Sequence, residues 1–471
     1  MVILPSKYLI KLQISKKSFV IYHSLFGQAV VVGKNIVNLI QRFNLGIDFL
    51  CVFSKTEIST YREAILDLKK RGFLVKKGLN ERLFLKKNQD RFKQRLSKNP
   101  ARFIDFLRLE MSSFCNFRCL HCFAQKIYDW RKGRLMSFPV SRQAIDGFVN
   151  ILRRGHKKSG IVSFWGGEPL LNWEVIQQIT EYTEAVSKNT LPKIQFNIVT
   201  NGSLLNNHII SFMKKHKFTI RLSLDGLKKE NDLFRKFVNG KGTFKYITNA
   251  MNRLSKLNKS FSIELCLNDY NFDILEKVID FLWDRYKPTA IVISPITHQR
   301  AVLPFDTHSS VEKARRCVEI YVYARKKGIP INPAEGLDLS GIALKSKFIP
   351  RHACNGLYSS LYVNPSGVVY GCELKIKRPL GRVKELEKVP WGRNYRYAAM
   401  RMISKIKGCK GCEIEGFCAG GCAGIAEFYS GDIYDTSHPL FQSFYCDFRR
   451  QLFREMLKFT AKNPNYLKKN I

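Results

Sequence analysis

The sequence predicts an α/β protein organised on a parallel β/α sheet, and three observations predict it. Between residues 103 and 300, six strand-like runs alternate with five helical patterns, the signature of parallel strands joined by helical crossovers. The first run ends just before Cys115-Asn116-Phe117-Arg118-Cys119-Leu120-His121-Cys122, three thiols at C-x3-C-x2-C spacing. The chain has 471 residues, more than one hydrophobic core organises, so further domains flank the sheet.

Residues 1–86 read as a small α+β module. Tyr8–Ile14, Ser18–Tyr22 and Ala29–Val32 have strand character. Ile36, Val37, Leu39 and Ile40 recur at helical spacing, and a second helix is predicted over Thr56–Arg71, with Gly72 at its C-cap. Phe73–Val75 and Arg82–Leu85 read as a closing pair of strands, which makes the unit winged-helix-like. Residues 87–102 are polar and charged and read as a linker.

The six runs are Phe103–Met111, Ile161–Trp165, Lys193–Val199, Thr219–Leu224, Phe261–Leu267 and Ala290–Ile293. Between them, Ser141–Arg153, Trp173–Ser187, Asn207–His216, Phe244–Leu257 and Leu275–Arg285 have helical spacing. Chemistry in such folds gathers at the C-terminal ends of the strands. Gly166-Gly167-Glu168-Pro169 follows the second strand, Thr200-Asn201-Gly202 the third, and Ser223-Leu224-Asp225-Gly226, with Arg235 beyond it, the fourth. Downstream, Val311–Lys327 is an amphipathic helix and Leu361–Tyr370 a hairpin with a Pro-Ser-Gly turn.

Thirteen cysteines are present, and most cluster. The second group runs Cys354-x12-Gly367-x4-Cys372, then Cys409-x2-Cys412-x5-Cys418-x3-Cys422-x23-Cys446. No secretory signal and no apolar run long enough to span a membrane is visible, so the expected location is the cytoplasm. There, clustered cysteines read as metal ligands rather than disulfides. Structural zinc takes four ligands and an ordinary iron–sulfur cluster four thiolates. Three thiols therefore leave one iron open, as catalysis requires. A zinc knuckle borrowing His121, and a zinc ribbon over Cys409–Cys422, are the competing readings. Cys51, Cys266 and Cys317 read as core thiols. The charge is +41, from 79 Lys and Arg against 38 Asp and Glu. Such a surface attracts polyanions, but the excess runs from Lys7 to Lys469 without a dominant block and names no partner.

The C-x3-C-x2-C spacing, with the aromatic Phe123 after the last thiol, resembles the radical S-adenosylmethionine (SAM) superfamily. The resemblance implies a partial (β/α)6 barrel over residues 103–330. It implies a [4Fe-4S] cluster on Cys115, Cys119 and Cys122 whose open iron chelates SAM, and cleavage of SAM to a 5′-deoxyadenosyl radical. Gly166, Gly167 and Glu168 resemble the family's GGEP motif, which contacts the methionine amine of SAM. Asn201, Ser223, Asp225 and Arg235 fall on the SAM side; a Ser and an Arg at this separation contact SAM in sulfatase-maturase-like members. His121 is expected to offer only backbone contacts. Residues 331–455 resemble the SPASM domain, with two auxiliary [4Fe-4S] clusters. Cys354, Cys372 and Cys422 would hold the first, and Cys409, Cys412, Cys418 and Cys446 the second. The extra cysteine that sulfatase maturases carry between the first two ligands is missing from residues 355–371. Glu373 stands in the slot of the acid that takes the substrate proton. Residues 1–86 look like a leader-peptide recognition element, which binds an extended peptide along a sheet edge; a DNA-binding winged helix and a structural extension compete. Residues 456–471 form a basic tail.

The function expected is modification of a ribosomally made precursor peptide bearing a leader, by hydrogen abstraction leading to oxidation or to a thioether or carbon–carbon crosslink. The electron donor would be flavodoxin- or ferredoxin-like. A sulfatase-type protein maturase is the alternative within the class. A nucleic-acid binder or RNA modifier is the alternative outside it, and the two auxiliary clusters speak against it.

Overall fold

The structure is a computed structural model that describes residues 2–45, 54–124, 133–188, 192–296, 307–333 and 355–463. The described residues divide into two compact units. Those up to Phe92 and from Met402 onward form one, and those from Lys93 to Arg401 form the other.

In the first unit, β1 (Ile3–Pro5) is followed by β2 (Leu9–Gln13), β3 (Ser18–His23) and β4 (Gln28–Gly33). β2, β3 and β4 form an antiparallel meander in which Val20 lies between Leu12 and Val31. Helix α1 (Lys34–Arg42) and helix α2 (Lys55–Lys70) follow. Ser54 and Glu57 each cap the other's backbone at the start of α2, two orphan donors satisfied reciprocally. Gly72, at φ 78°, ends the helix in the left-handed conformation. β5 (Leu74–Lys76) pairs with β1. Ile21, Ile40, Phe43, Ile65, Leu68 and Phe73 form the core beneath these elements.

Arg82–Leu85 is not the predicted strand. Leu83–Lys98 is helix α3, and it takes up most of the expected 87–102 linker. Leu85, Phe92 and Leu96 are buried, a spacing that shares one face of a helix and not of a strand. The pairing expected of that segment comes from β1, whose three residues ending in proline carry no periodic signal.

The second unit holds the sheet. β6 (Phe106–Ser112), α4 (Phe138–Arg154), β7 (Ser159–Gly166), α5 (Trp173–Ser187), β8 (Lys193–Thr200), α6 (Asn207–Lys215), β9 (Thr219–Ser223), α7 (Lys228–Phe234), α8 (Phe244–Lys256), β10 (Ser262–Leu267), α9 (Leu275–Tyr286), β11 (Ile291–Pro295), α10 (Ser310–Lys326) and β12 (Ile331–Pro333) succeed one another. Each strand from β6 to β12 pairs parallel with the next. All six predicted strands are there, with β12 as a seventh. Beyond β6 the sheet continues through the predicted hairpin. β13 (Ser360–Val363) runs parallel to β6, and β14 (Val368–Tyr370) and β15 (Gly381–Arg382) complete it antiparallel. On β6, Leu107, Leu109 and Met111 are fully buried, so Arg108, Glu110 and Ser112 point to the opposite face.

Back in the first unit, Phe453 of helix α12 lies 5.1 Å from Tyr22 and 4.6 Å from Phe417; α12 (Asp447–Lys462) follows α11 (Ala423–Ser430). Tyr8, Leu25 and Leu85 share a core with Ile403, Ile406 and Cys409. No described helix is long and apolar enough to cross a membrane.

Candidate functional site

The cysteine loop is held from two sides. The β6–β7 register shifts between Glu110 and Ser112, a bulge that re-aims the strand end. There the Gly167 N–H donates to the Ser112 carbonyl (2.7 Å) and the Glu168 N–H to the Phe114 carbonyl (2.8 Å). A Cβ on Gly166, whose φ is 129°, would lie 2.3 Å from the Ser112 oxygen, and one on Gly167 2.0 Å from the Phe114 oxygen. The two glycines therefore let this turn press directly on the chain leading into Cys115. On the other side, Arg118 and Leu120 donate their N–H groups to the carbonyls of Lys236 (2.7 Å) and Phe234 (2.9 Å).

Between these clamps lies an open cleft of about 140 Å³. Cys115, Cys119, Cys122, Phe123, Gly166, Gly167, Asn201, Ser223 and Arg235 line it, with Trp165 and Thr200. Nine of the residues expected around the first cluster and SAM thus meet in one space. None of the described cysteines forms a disulfide. Burial pushes the Cys119 thiol up to about 12, although Arg235 opposes the shift, and burial pushes Cys115 up too. Iron must therefore displace protons as it binds. Three thiols opening on one cavity fit a cluster with a vacant corner.

Glu168 and Asp225 do not line this cavity; they brace it. Glu168 Oε1 accepts from Thr200 Oγ1 (2.6 Å) and the Leu170 N–H (3.0 Å), and its Oε2 from the Asn201 N–H (2.8 Å). Burial raises its carboxyl to about 7 against these hydrogen bonds. Asn201 in turn donates to Asn116 Oδ1 (2.8 Å) in the cysteine loop. Asp225 is fully buried and pairs with Arg235 at 2.7 Å. Burial pulls its carboxyl upward, but Arg235 and then His121 hold it below the usual carboxylate range. Arg235 also reaches Cys119 Sγ at 3.9 Å. His121 does more than offer backbone: its Nε2 lies 3.4 Å from Asp225 Oδ2.

Glu373 does not line the cavity either; its Oε2 lies 3.4 Å from Arg108 NH1. Beside it, the sequence reading missed Glu110. This wholly buried carboxylate accepts from Ser113 Oγ (2.6 Å) and Tyr362 OH (2.8 Å) and pairs with Lys375 Nζ (3.0 Å). It ties the approach to the cysteine loop to the turn carrying Cys372 and Glu373. A lone acid inside the apolar β6 run was the available signal.

In the first unit, Cys409, Cys412, Cys418 and Cys446 line one small cavity, flanked by Arg449 and Arg450. Four thiols around one mostly apolar space fit a fully ligated cluster. Of the other expected set, Cys354 lies outside the described residues, as does Cys51; Cys372 and Cys422 fall in different units. The same unit holds a larger groove, about 580 Å³, between the start of β4, the end of α2 and β5. Phe26, Leu74, Leu79 and Phe84 supply its apolar lining, Lys69, Lys70, Arg71 and Lys76 its charge, and among the described residues no acidic one lines it.

A parallel β/α sheet that gathers three thiols around one cleft at the ends of its strands fits an enzyme built around a metal cofactor. Residues 109–282 match the family described as Radical SAM superfamily, so the chain carries a radical SAM domain there, and that family implies a [4Fe-4S] cluster and SAM. It is similar along nearly its whole length to the radical SAM cyclopropyl synthase TigE of Paramaledivibacter caminithermalis, at 24% identity over 97% of this chain and 96% of that one. It is 25% identical to a cysteine-type anaerobic sulfatase-maturating enzyme of Clostridium novyi, over 66% of this chain and 85% of that one. Among solved structures, the fold is similar to the native sulfatase-maturating enzyme anSMEcpe with bound AdoMet, at TM-score 0.62 and 21% identity over 78% and 100% of the two chains. It is also similar to Streptococcus suis SuiB bound to precursor peptide SuiA, at TM-score 0.56 and 16% identity over 93% and 100%.

Proposed function

We propose that this enzyme modifies a ribosomally made precursor peptide by removing hydrogen from a substrate carbon. The observation that carries the reading is the single cavity into which Cys115, Cys119, Cys122, Gly167, Asn201, Ser223 and Arg235 all open. Cys115, Cys119 and Cys122 hold the cluster, which with SAM bound supplies a 5′-deoxyadenosyl radical. The Gly166-Gly167 turn and Asn201 shape the space for the methionine end of SAM, while Glu168 fixes that turn against Thr200 and Asn201. Phe123 offers an aromatic surface. Arg235, aimed by Asp225, presents a cation to the SAM carboxylate, with Ser223 beside it. Glu373 takes the proton that leaves the substrate.

The SPASM-like cysteines would hold two auxiliary [4Fe-4S] clusters able to accept the one further electron that the oxidation releases, and a flavodoxin- or ferredoxin-like protein would be the donor for the first cluster. Residues 1–86 grip the leader, and the basic, acid-free groove suits an extended acidic peptide. Support for the substrate class comes from SuiB, solved with its precursor peptide. The relative matched end to end is a cyclopropyl synthase, which favours carbon–carbon bond formation among the possible products. The resemblance to sulfatase maturases favours a second reading, a protein maturase, against which stands the absence of cysteine from residues 355–371.

The test is anaerobic reconstitution with a strong reductant, SAM and a candidate precursor peptide. A peptide lighter by two hydrogens, with 5′-deoxyadenosine released, is the expected result. Release of no 5′-deoxyadenosine would overturn the reading, and turnover of a sulfatase peptide alone would move it to the maturase.

A further inference from the structure

Glu415 lies in the loop that carries Cys409, Cys412 and Cys418, and its side chain is entirely removed from solvent. Its partners come from the N-terminal module, far away in sequence. Arg82 holds Oε1 with two nitrogens, at 2.9 and 2.6 Å. Tyr8 OH donates to Oε2 at 3.1 Å. The same Oε2 accepts the N–H of Gly411 at 3.1 Å, the residue just before Cys412. Next to it the backbones touch: a Cβ on Gly416 would lie 2.2 Å from the Ser24 carbonyl oxygen.

We infer that the N-terminal module buttresses the four-cysteine site through Glu415, which lines it, and that Glu415, neutralised by Arg82, is the positioning residue. This inference rests on the reading of Cys409, Cys412, Cys418 and Cys446 as ligands of one cluster. A buried carboxylate without its cation is strongly disfavoured, so the ion pair is what allows Glu415 to brace the Gly411 N–H there. Its charge balance is also felt by the cluster, since reduction potentials of iron–sulfur centres follow nearby net charge. A module expected to recognise a leader is thereby also built into the support of the four-cysteine site. It cannot be removed without opening that site, and truncation of residues 1–86 is a poor test of leader binding.

The experiment uses the full-length, reconstituted chain and reads iron content, the electron paramagnetic resonance (EPR) spectrum of each reduced cluster and its midpoint potential. Arg82→Gln leaves a bare carboxylate beside the cluster and lowers its potential, or sheds about four irons per chain. Glu415→Gln removes the negative charge and shifts the same potential upward. Arg82→Lys, which keeps the charge, restores iron content and moves the potential back toward that of the parent. Potential shifts of opposite sign, confined to one cluster, are what positioning by charge predicts. Unchanged spectra and potentials, or equal shifts of one sign in both Gln variants, overturn it. A parent protein holding no cluster on those four cysteines would overturn the underlying reading instead, and is seen before any variant is made.

Discussion

Thr200 Oγ1 donates to Glu168 Oε1 at 2.6 Å, joining the end of β8 to the turn after β7 through a carboxylate that water does not reach. The bond fixes how the Gly166-Gly167 turn sits on the cysteine loop. It also leaves an acid whose protonation decides part of the stability of the sheet's catalytic edge.

The first prediction follows from that acid. Folding raises Glu168 from 4.5 to about 7 through burial. A raised carboxyl gives stability that is complete below its unfolded value and lost as pH climbs through the folded one. Between pH 4.5 and 7 the cluster-free protein should lose about 3 kcal/mol from this group. Denaturant unfolding at several pH values, compared with Glu168→Gln, isolates the contribution; identical slopes in the two proteins would remove it.

Gly167→Ala should misplace Cys115, because its Cβ would meet the Phe114 oxygen at 2.0 Å. Reconstituted protein should contain about four fewer irons per chain, and production of 5′-deoxyadenosine should fall at least ~100-fold. A fully loaded, active variant would show that the turn has slack.

Asp225→Asn strands Arg235 beside Cys119 without its buried counter-charge. Breaking such a pair costs about 3–5 kcal/mol, and replacing both partners by apolar residues recovers much of it. Unfolding of Asp225→Asn and of Asp225→Leu/Arg235→Met by urea tests this, and the double variant, though stable, should bind SAM poorly.

Glu373→Gln should separate the two halves of turnover. Peptide product should fall by about 10²–10⁴-fold, the usual worth of a positioned base, while 5′-deoxyadenosine release continues. Chromatographic quantification of both products decides it; equal losses would place Glu373 in SAM binding instead.

Lys70→Glu/Lys76→Glu reverses charge in the groove of the N-terminal unit without touching Glu415. Leader affinity should drop about tenfold, ~1.4 kcal/mol, and depend less on salt. Fluorescence anisotropy with a labelled leader peptide measures both.

The alternation of strands and helices from β6 to β11 was legible because each strand is a short apolar run and each helix carries its period. The meeting of residues at strand ends was legible too: Cys115, Cys119, Cys122, Gly166, Gly167, Asn201, Ser223 and Arg235 line one cavity. Two kinds of feature escaped. Segments whose structure comes from distant packing, such as β1 and the helix over Leu83–Lys98, look locally like something else. Charged residues whose partners are remote, such as Glu110 with Lys375 and Glu415 with Arg82, have no local pattern, since only folding brings those pairs together.

β13 lies parallel against β6 over Ser360–Val363. An unpaired β6 would present a row of open amide and carbonyl groups on the strand that leads into Cys115, and exposed edges of this kind recruit other chains. The segment carrying β13 thus covers the edge of the strand that leads into the cysteine loop. A shortened chain ending before residue 355 should come out of cells as insoluble aggregate rather than as a minimal catalyst.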